Sequence, residues 1–360
     1  MNVGILSMQE VINYGSVLQA YSLKELVYNE CGIHCSFIPI DTTDSLRMKT
    51  IPFTGEDDYC SYQVSYKLLP RYIVNKIINK GKDKIVTTHI RNFQNEILHL
   101  ANGRSDEYDI VIVGSDEVFK TEDLCYLQLY GQIDNAKKII SYAACCGNAS
   151  VCYFFEDSIK ILEMLLDNFS AMSVRDSYTY NYVRQLYSRE ICMHLDPVLV
   201  GPLRKITRKK VYFSKYILVY AYSERIRNKK EIEVIIKFAR KNRCKLICVG
   251  GKQYWCDIFL PIAPMELLDY FYNAEYVITD TFHGAIFAII TRKKFIVLKR
   301  KSNFNKITGM LNILCLSERL IDNIEHLERF IHLDIDYDLV FGILDYEEKR
   351  TRDYLRENIG

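Results

Sequence analysis

The chain has 360 residues, of which 49% are apolar and 26% charged, as in a globular protein with a sizeable buried core. This length is too great for one ordinary small domain and is comfortable for two. The formal net charge of +2 excludes a global field that would recruit nucleic acid or an anionic membrane, so we expect no nucleic-acid partner.

Twelve cysteines are present without any CxxC pair, and several lie inside apolar runs, as Cys244 and Cys248 do. This pattern indicates reduced, buried thiols and does not favour a thiolate metal site. The first ten residues are too quickly polar for a signal peptide, and no apolar stretch reaches about 18 residues. We therefore expect a cytoplasmic protein that does not span a membrane.

In the first half of the chain, short β-branched runs alternate with amphipathic segments. Strands are predicted at 3–7, 34–40, 108–116, 137–144 and 170–176, and helices from about Ser16 to Asn29 and near 68–79, 84–100, 157–168 and 178–187. A long polar-aromatic stretch runs to residue 65 and predicts no element.

The second half is more regular and consists of consecutive strand–helix units. Strands are predicted at 216–222, 245–251, 275–280 and 294–299, with helices at 228–241, 264–273 and 283–292 and a charged helix near 338–357. Strands that lack polar alternation and are separated by helices indicate a parallel sheet covered on both faces.

These patterns predict an α/β fold with two doubly wound Rossmann-like domains facing a cleft. The segment 196–210 carries two prolines and a basic run, which places the domain boundary near 200–214. We expect an N-terminal domain at 1–205, a C-terminal domain at 206–335 and a helix within 336–360 that packs back across both. Such domains bind ligands beyond the carboxyl ends of their strands, so the loops there are the candidate site.

The first such loop belongs to "INYGSVLQAYSL", residues 12–23. Gly15 permits a sharp turn before a helix whose free amides can hold an anion, and Asn13 and Gln19 could add side-chain donors. A simple cap followed by an amphipathic helix is the alternative. No GxGxxG or GxxxxGK[ST] motif is present, so a nicotinamide cofactor or a nucleoside triphosphate is not indicated.

Two further strand ends of the first half carry charged side chains. In "IVIVGSDEVF", Ser115 and Asp116 follow a buried strand, where a carboxylate either orients a sugar hydroxyl, acts as a general base or caps a helix. In "SVRDS", Arg175 could clamp a carboxylate or phosphate, or could pair with Asp176 or Asp196. Asp196 precedes a proline, which favours a structural role in a turn.

The stretch "VITDTFHGAIFAII", residues 277–290, places His283 where a strand passes into a helix. We expect Asp280 to bond one ring nitrogen of His283, and Gly284 to let a ligand approach a helix start that favours negative charge. A packed histidine is the alternative. The basic cluster after this helix, which includes Lys299 and Arg300, is either a solvated face or a site for an anionic ligand.

Taken together and in this order, these motifs resemble the polysaccharide pyruvyl transferase family. The resemblance runs from Val3 to about Arg319 and rests on seven segments: "NYGSVLQAYSL", "VGSDEVF", "SYAACCG", "SVRD", "LDPVLV", "TDTFHGAIFAI" and "NKITGMLNILCLSER". Each segment is weak alone, whereas seven in order are specific. The chain departs from the family where Glu117 and Phe119 replace the usual Gln and Trp, and where Lys306 stands in place of a frequent arginine.

The resemblance implies a fold similar to the B-type glycosyltransferases and a carboxyethylidene transfer from phosphoenolpyruvate to two hydroxyls of one sugar, without a metal or other cofactor. It implies that His283 contacts phosphate or transfers a proton and that Asp116 orients or deprotonates an acceptor hydroxyl. The implied donor-binding residues are Arg175, His283, Gly284, Lys299 and Arg300, and the acceptor-binding residues are Asn13, Gly15, Gln19, Ser115 and Asp116.

Two other functions share this architecture. One is a glycosyltransferase that uses a nucleotide-activated sugar, and the other is a non-catalytic sugar-binding subunit of a polysaccharide-assembly complex. The acceptor is expected to be a polysaccharide or its lipid-linked precursor. In the lipid-linked case, the apolar and basic surface near 204–215 is the expected contact with the inner face of the plasma membrane.

Overall fold

The computed structural model describes residues 1–49, 68–100, 107–120, 124–213 and 215–360. Residues 50–65 of the predicted polar-aromatic stretch lie outside these ranges. Within them, two six-stranded parallel sheets carry the fold, one from each half of the chain.

The first sheet has the strand order β2-β1-β4-β6-β7-β8, and every neighbouring pair is parallel. The elements of this half are β1 (Val3–Leu6), α1 (Tyr14–Cys31), β2 (Cys35–Phe37), β3 (Ser45–Arg47), α2 (Leu69–Ile78), α3 (Lys82–Glu96), β4 (Tyr108–Asp116), β5 (Leu124–Tyr126), β6 (Ala136–Ala144), α4 (Glu156–Leu166), β7 (Phe169–Val174), α5 (Ser177–Arg184) and β8 (Ile191–Met193). The central strand β4 is buried over Ile110–Val113, which explains its unbroken apolar sequence.

The second sheet has the order β11-β10-β9-β12-β13-β14 and is also parallel throughout. Its half contains α6 (Pro197–Val200), β9 (Tyr216–Ala221), α7 (Lys229–Lys241), β10 (Lys245–Gly250), β11 (Ile258–Phe259), α8 (Leu267–Asn273), β12 (Tyr276–Thr279), α9 (Phe282–Ile290), β13 (Phe295–Leu298), α10 (Phe304–Ile313), β14 (Leu320–Ile321), α11 (Leu327–His332) and α12 (Tyr337–Ile359). The predicted fold of two doubly wound, Rossmann-like units is confirmed.

The elements that the sequence did not predict are short, apart from α10. They are β3 and β5, which form an antiparallel pair, together with β8, β11, β14, α6 and α11. Two or three residues are too few to show a periodicity, so only tertiary pairing defines such strands. Among the helices of the described residues, none is both long and apolar enough to cross a bilayer.

Helix α12 contacts both halves of the molecule. The Tyr354 hydroxyl donates a 2.7 Å hydrogen bond to the Ser141 carbonyl in β6, and the Tyr337 hydroxyl donates to the Lys293 carbonyl after α9. Arg204 of the connecting segment pairs with Asp345 at 2.7 Å. This last helix therefore fastens the two sheets to one another.

His194, behind the first sheet, predicts how stability depends on pH. Its Nδ1 lies 2.8 Å from Ser173 Oγ, and burial, followed by the Arg350 charge, lowers its pKa to about 4. The unfolded chain therefore binds the proton first, and stability is lost as pH falls from 6.5 towards 4. We expect the unfolding free energy to fall by about 2 kcal/mol between pH 6.5 and 5 through this residue. Urea unfolding of the parent and His194→Gln should show a flatter pH slope for the variant, and equal slopes would contradict the assignment.

Candidate active site between the two sheets

A row of charged side chains connects the carboxyl end of the first sheet to the start of α9. Asp116 ends β4, Arg175 follows β7, Asp196 follows β8, and His283 belongs to the first turn of α9. Arg175 Nη1 lies 3.1 Å from Asp196 Oδ2 and 3.8 Å from Asp116 Oδ1. Asp196 Oδ2 lies 3.5 Å from His283 Nε2, so the row crosses from one half of the chain to the other.

Asp116 is held in an uncommon backbone conformation. Its φ of 69° lies in the left-handed region, which costs a non-glycine residue free energy and often marks a functional turn. Ser16 Oγ on α1 donates a 2.8 Å hydrogen bond to Asp116 Oδ2, and the Cys145 amide donates to the Asp116 carbonyl. The turn and these donors fix where the carboxylate points.

Arg175 is buried, and part of its guanidinium has no protein partner. Its Nη1 bonds Asp196, whereas Nε and Nη2 are buried without a hydrogen-bond partner among the described residues. The guanidinium also lies over the Phe282 ring, 4.3 Å from its centroid. Burial lowers the pKa of Arg175, but Cys145 and the carboxylates Asp196 and Asp116 raise it by more, so the side chain stays a cation. Two parallel N–H donors are thus available to an anion.

His283 is in contact with the loop of the first half that the sequence singled out. A Cβ at Gly15 would lie 2.2 Å from His283 Nδ1, so the Gly15 backbone rests directly on the imidazole. The ring also stacks on Phe287 at 6.1 Å. Its Nε2 is buried and has no hydrogen-bond partner within the described ranges. The imidazole is therefore fixed in orientation while Nε2 is available for chemistry.

Asp196 is the carboxylate that faces His283. It caps α6 through a 3.0 Å hydrogen bond from the Val198 amide, as its position before a proline predicts. Burial raises the pKa of Asp196, but His283, Arg175 and the Val198 amide lower it by more, and the net shift is downward. Asp196 therefore combines the structural role with a charged position in the site.

The expectation that Asp280 bonds His283 is wrong. Asp280 is fully buried, and its Oδ2 lies 3.4 Å from Arg225 Nε and 3.3 Å from Arg300 Nε. Burial raises the pKa of Asp280 above its usual value, although both arginines oppose that shift. Asp280 follows β12 and turns towards the neighbouring loops of its own sheet, whereas His283 on α9 faces the first half.

Neither predicted cation after β13 is directed to His283. Arg300 forms a bidentate pair with Glu231, at 2.8 and 2.9 Å, in addition to its contact with Asp280. Lys299 is exposed and holds its ammonium 4.4 Å from the Phe304 ring centroid. The clamp role for these two residues stays a prediction, with Arg300 already neutralised by two carboxylates.

Four of the remaining candidates have mainly structural contacts. Gly284 packs on β12, where an added Cβ would lie 2.1 Å from Thr279 Oγ1. Asn13 caps α1 by accepting from the Gly15 amide at 2.7 Å. Gln19 and Ser115 are fully buried, and Gln19 Nε2 donates to Ser7 Oγ. Gly284 is thus needed for close packing on β12, and the approach of a ligand to its backbone stays a prediction.

Lys306 and Glu117 join the site although the sequence did not assign them to it. Lys306 of α10 donates from Nζ to Glu117 Oε1 just past β4, and lies 5.7 Å from the Phe282 ring centroid. Burial acts to raise the pKa of Glu117, but Lys306 and Lys120 lower it to about 2. Burial acts to lower the pKa of Lys306, and Glu117 raises it above its usual value. Both residues are therefore charged at neutral pH.

The contact between Gly15 and His283 gives a test of the site geometry. In Gly15→Ala the added methyl group must displace the imidazole, because it would overlap Nδ1. A displacement of about 1 Å can cost about 10²-fold in rate, so we expect a loss of that order in turnover. Gly342→Ala is the matched control, since a Cβ there meets nothing within 4 Å. Full activity in Gly15→Ala would refute the contact between the Gly15 backbone and the His283 imidazole.

Comparison with solved structures shows similarity over both halves of the molecule. A UDP-GlcNAc 2-epimerase of Methanocaldococcus jannaschii, in complex with UDP-GlcNAc and UDP, is 14% identical with a TM-score of 0.50, over 99% of this chain and 100% of that one. The MnaA protein of S. aureus with UDP is 12% identical with a TM-score of 0.50, over 99% of this chain and 95% of that one. At such identities the similarity concerns the fold alone, and it agrees with the predicted two-domain architecture of the B type.

The sequence comparisons identify a family. No curated protein sequence matches the chain. A sequence model described as polysaccharide pyruvyl transferase matches residues 13–302, which include Asp116, Arg175, Asp196 and His283. The chain belongs to the polysaccharide pyruvyl transferase family and is therefore a transferase of polysaccharide biosynthesis.

Proposed function

We propose that the protein transfers the carboxyethylidene group of phosphoenolpyruvate to two hydroxyls of one sugar unit and releases inorganic phosphate. The observation that carries this proposal is the buried, unpartnered Nε and Nη2 edge of Arg175, which lies in the same row of side chains as His283, whose Nε2 is 3.5 Å from Asp196 Oδ2. Such an edge matches the two oxygens of a carboxylate or phosphate.

The charges around this edge favour a donor with two anionic groups. Arg175 and Lys306 both lie against the Phe282 ring, and the charge of Arg175 acts to lower the pKa of Lys306. Each cation already has a carboxylate partner, Asp196 for Arg175 and Glu117 for Lys306, but Arg175 keeps its Nε and Nη2 edge for an anion. Phosphoenolpyruvate offers a carboxylate and a phosphate, so one cation can hold each group.

The reaction needs two proton movements, and the side chains present can serve both. A sugar hydroxyl attacks C2 of the donor while the methylene carbon gains a proton and becomes the methyl group. The C2–O bond to phosphate then breaks, and the second hydroxyl closes the ketal. One hydroxyl proton thus ends on carbon and the other on the departing phosphate. We assign the proton transfer or the phosphate contact to His283 Nε2, since imidazole can donate and accept near neutral pH.

The carboxylates of the row take complementary roles in this proposal. Asp116 has a fixed turn and a hydroxyl-bearing neighbour in Ser16, so we assign it to orient or deprotonate an acceptor hydroxyl. Asp196 faces both Arg175 and His283, so it positions the guanidinium and the imidazole. Metal binding is not part of the proposed mechanism.

A donor assay distinguishes this function from its alternatives. The protein is incubated with phosphoenolpyruvate and a panel of nitrophenyl or lipid-linked sugars, and phosphate release is measured beside ketal formation by mass spectrometry. We expect phosphate release that depends on the sugar. Nucleotide release from a sugar nucleotide would instead identify a glycosyltransferase, and sugar binding without turnover of any donor would identify a non-catalytic subunit.

The acceptor is proposed to be a polysaccharide or its lipid-linked precursor, and a lipid-linked acceptor would place the reaction in the cytoplasm at the inner face of the plasma membrane. The segment 204–215 was the expected contact with that membrane. Its Arg204 and Lys205 both pair with Glu348 of α12, whereas Tyr212 is 96% exposed. The basic character of this segment is thus partly neutralised within the protein.

A further inference from the structure

Helix α2 exposes its apolar side. Leu69, Ile73, Val74, Ile77 and Ile78 are all exposed, and their spacing of three and four residues places them along one side of the helix. Ile77 and Ile78 are 69% and 60% exposed. A helix on the surface of a globular protein normally buries such a stripe against the core, so this orientation is the reverse of the usual one.

The polar side of α2 is the side that docks on the protein. Asn75 is buried, and its Nδ2 donates to the carbonyls of Tyr254 and Cys256, both at 2.8 Å. Tyr72 donates to Glu224 at 3.0 Å, and Arg71 pairs with Asp257 at 2.5 Å. These directional contacts with the second half fix the rotation of the helix, so the apolar stripe is held outward by specific bonds.

The charges on α2 and beside its apolar stripe are mainly positive. Lys76 and Lys80 are exposed, and no Asp or Glu occurs from residue 68 to 82. Lys84, also exposed, lies in the first turn of α3, and the adjacent Asp83 forms an ion pair with Lys252. An apolar stripe flanked by lysines is complementary to a bilayer with anionic headgroups, since the alkyl groups enter the interface and the ammonium groups meet phosphates.

We propose that α2 lies in the interface of an anionic lipid bilayer and attaches the protein to it peripherally. The helix has 10 residues, which span about 15 Å, so it lies along the surface and does not cross the membrane. A globular partner is disfavoured by the charge pattern, because a border in which the lysines Lys76, Lys80 and Lys84 outnumber the single paired Asp83 suits a continuous anionic plane.

The position of α2 relates this surface to the active site. Its partners Glu224 and Tyr254 follow the carboxyl ends of β9 and β10, and the residues before His283 follow β12 of the same sheet. These ends lie along one edge of a parallel sheet, so α2 and the start of α9 lie at the same edge of that sheet. The delivery of a lipid-linked acceptor to the active site by α2 rests on the proposed function. The attachment of α2 to the bilayer does not rest on it.

Vesicle co-sedimentation tests the attachment without any assay of activity. The probes are vesicles of phosphatidylcholine with about 30% phosphatidylglycerol, an anionic lipid that attracts lysines near the surface, and vesicles of phosphatidylcholine alone. We expect binding to the anionic vesicles, at least about tenfold weaker binding for Ile77→Ser/Ile78→Ser, and about fivefold weaker binding for each of Lys76, Lys80 and Lys84 changed to Gln.

Matched controls separate α2 from other exposed apolar groups. Met164→Ser removes a side chain that is 64% exposed on α4, and Tyr212→Ser removes the exposed tyrosine of the segment first expected to touch the membrane. Both should bind vesicles as the parent does. The proposal is overturned if the parent ignores anionic vesicles, if only Tyr212→Ser loses binding, or if Ile77→Ser/Ile78→Ser converts a dimer to a monomer in sedimentation velocity. The lysine variants keep the apolar stripe, so a loss of vesicle binding in them cannot be explained by misfolding of the serine variant.

Discussion

His283→Ala is expected to lower sugar-dependent phosphate release from phosphoenolpyruvate by about 10²–10⁴-fold, the range that a positioned acid or base contributes. The imidazole lies between Asp196 and the Gly15 backbone, and its Nε2 has no hydrogen-bond partner among the described residues. Turnover is measured by phosphate release, and folding by thermal unfolding, which should change little because the ring packs at the edge of the cleft.

His283→Gln separates the two roles that an imidazole can take. A glutamine amide can donate a hydrogen bond to phosphate but cannot pass a proton at neutral pH. If His283 only holds the phosphate, the Gln variant should recover much of the activity that Ala loses. If it transfers the proton, both variants should be equally slow. His326→Ala, at an exposed histidine before α11, is the control, and unchanged activity in His283→Ala would remove the mechanism altogether.

The long elements of the fold could be predicted from the sequence because their periodicity is strong. The strand predicted at 108–116 has the observed bounds of β4, and α7 and α12 begin and end within two residues of their predicted limits. Helix α10 was not predicted, since its start, with Asn303 and Lys306, is polar. The short strands β8, β11 and β14 depend on pairing with a neighbour, which no local pattern records.

The site could be predicted only in part, since strand ends are visible in a sequence and side-chain partners are not. Asp116, Arg175 and His283 follow strong strand signals and meet in the structure. Asp196 follows a strand of three residues, so its proximity to His283 had no local signal. Arg300 follows a clear strand, but its neutralisation by Glu231 of α7 is a tertiary contact.

The two charged departures from the family pattern turn out to be partners. Glu117 stands where the family usually has Gln, and Lys306 where it frequently has Arg, and the two side chains form an ion pair across the cleft. Each substitution alone weakens a residue-by-residue transfer of function. Together, Lys306 keeps a cation beside Phe282 and Glu117 adds the carboxylate that holds its ammonium group in place. A lysine ammonium is a point charge on a flexible stem, whereas an arginine guanidinium has the fixed geometry of a planar fork.

Arg175→Met is expected to lower both stability and turnover, since it removes the cation between two carboxylates. Removing one partner of a buried ion pair costs about 3–5 kcal/mol, and we expect a fall of that order in the unfolding free energy at pH 7. The donor should also bind more weakly, because the unpartnered Nε and Nη2 are lost. Urea unfolding and the KM for phosphoenolpyruvate measure the two effects.

The pH dependence of this loss identifies its cause. Arg175 is one of the groups that lower the pKa of Asp196, so in the variant that pKa rises. The lowered pKa of Asp196 stabilises the fold at pH values above the ordinary carboxyl pKa of 3.8, and this contribution is lost as pH falls through the lower pKa of the folded state. The difference in unfolding free energy between parent and variant should therefore stay nearly constant from pH 7 to about pH 5 and narrow as pH falls below about 4. Arg175→Lys keeps the charge without the fork, and we expect it to retain most of the stability while the KM stays raised. A gap that is independent of pH would mean that Arg175 stabilises the protein by packing on Phe282 and not by its charge.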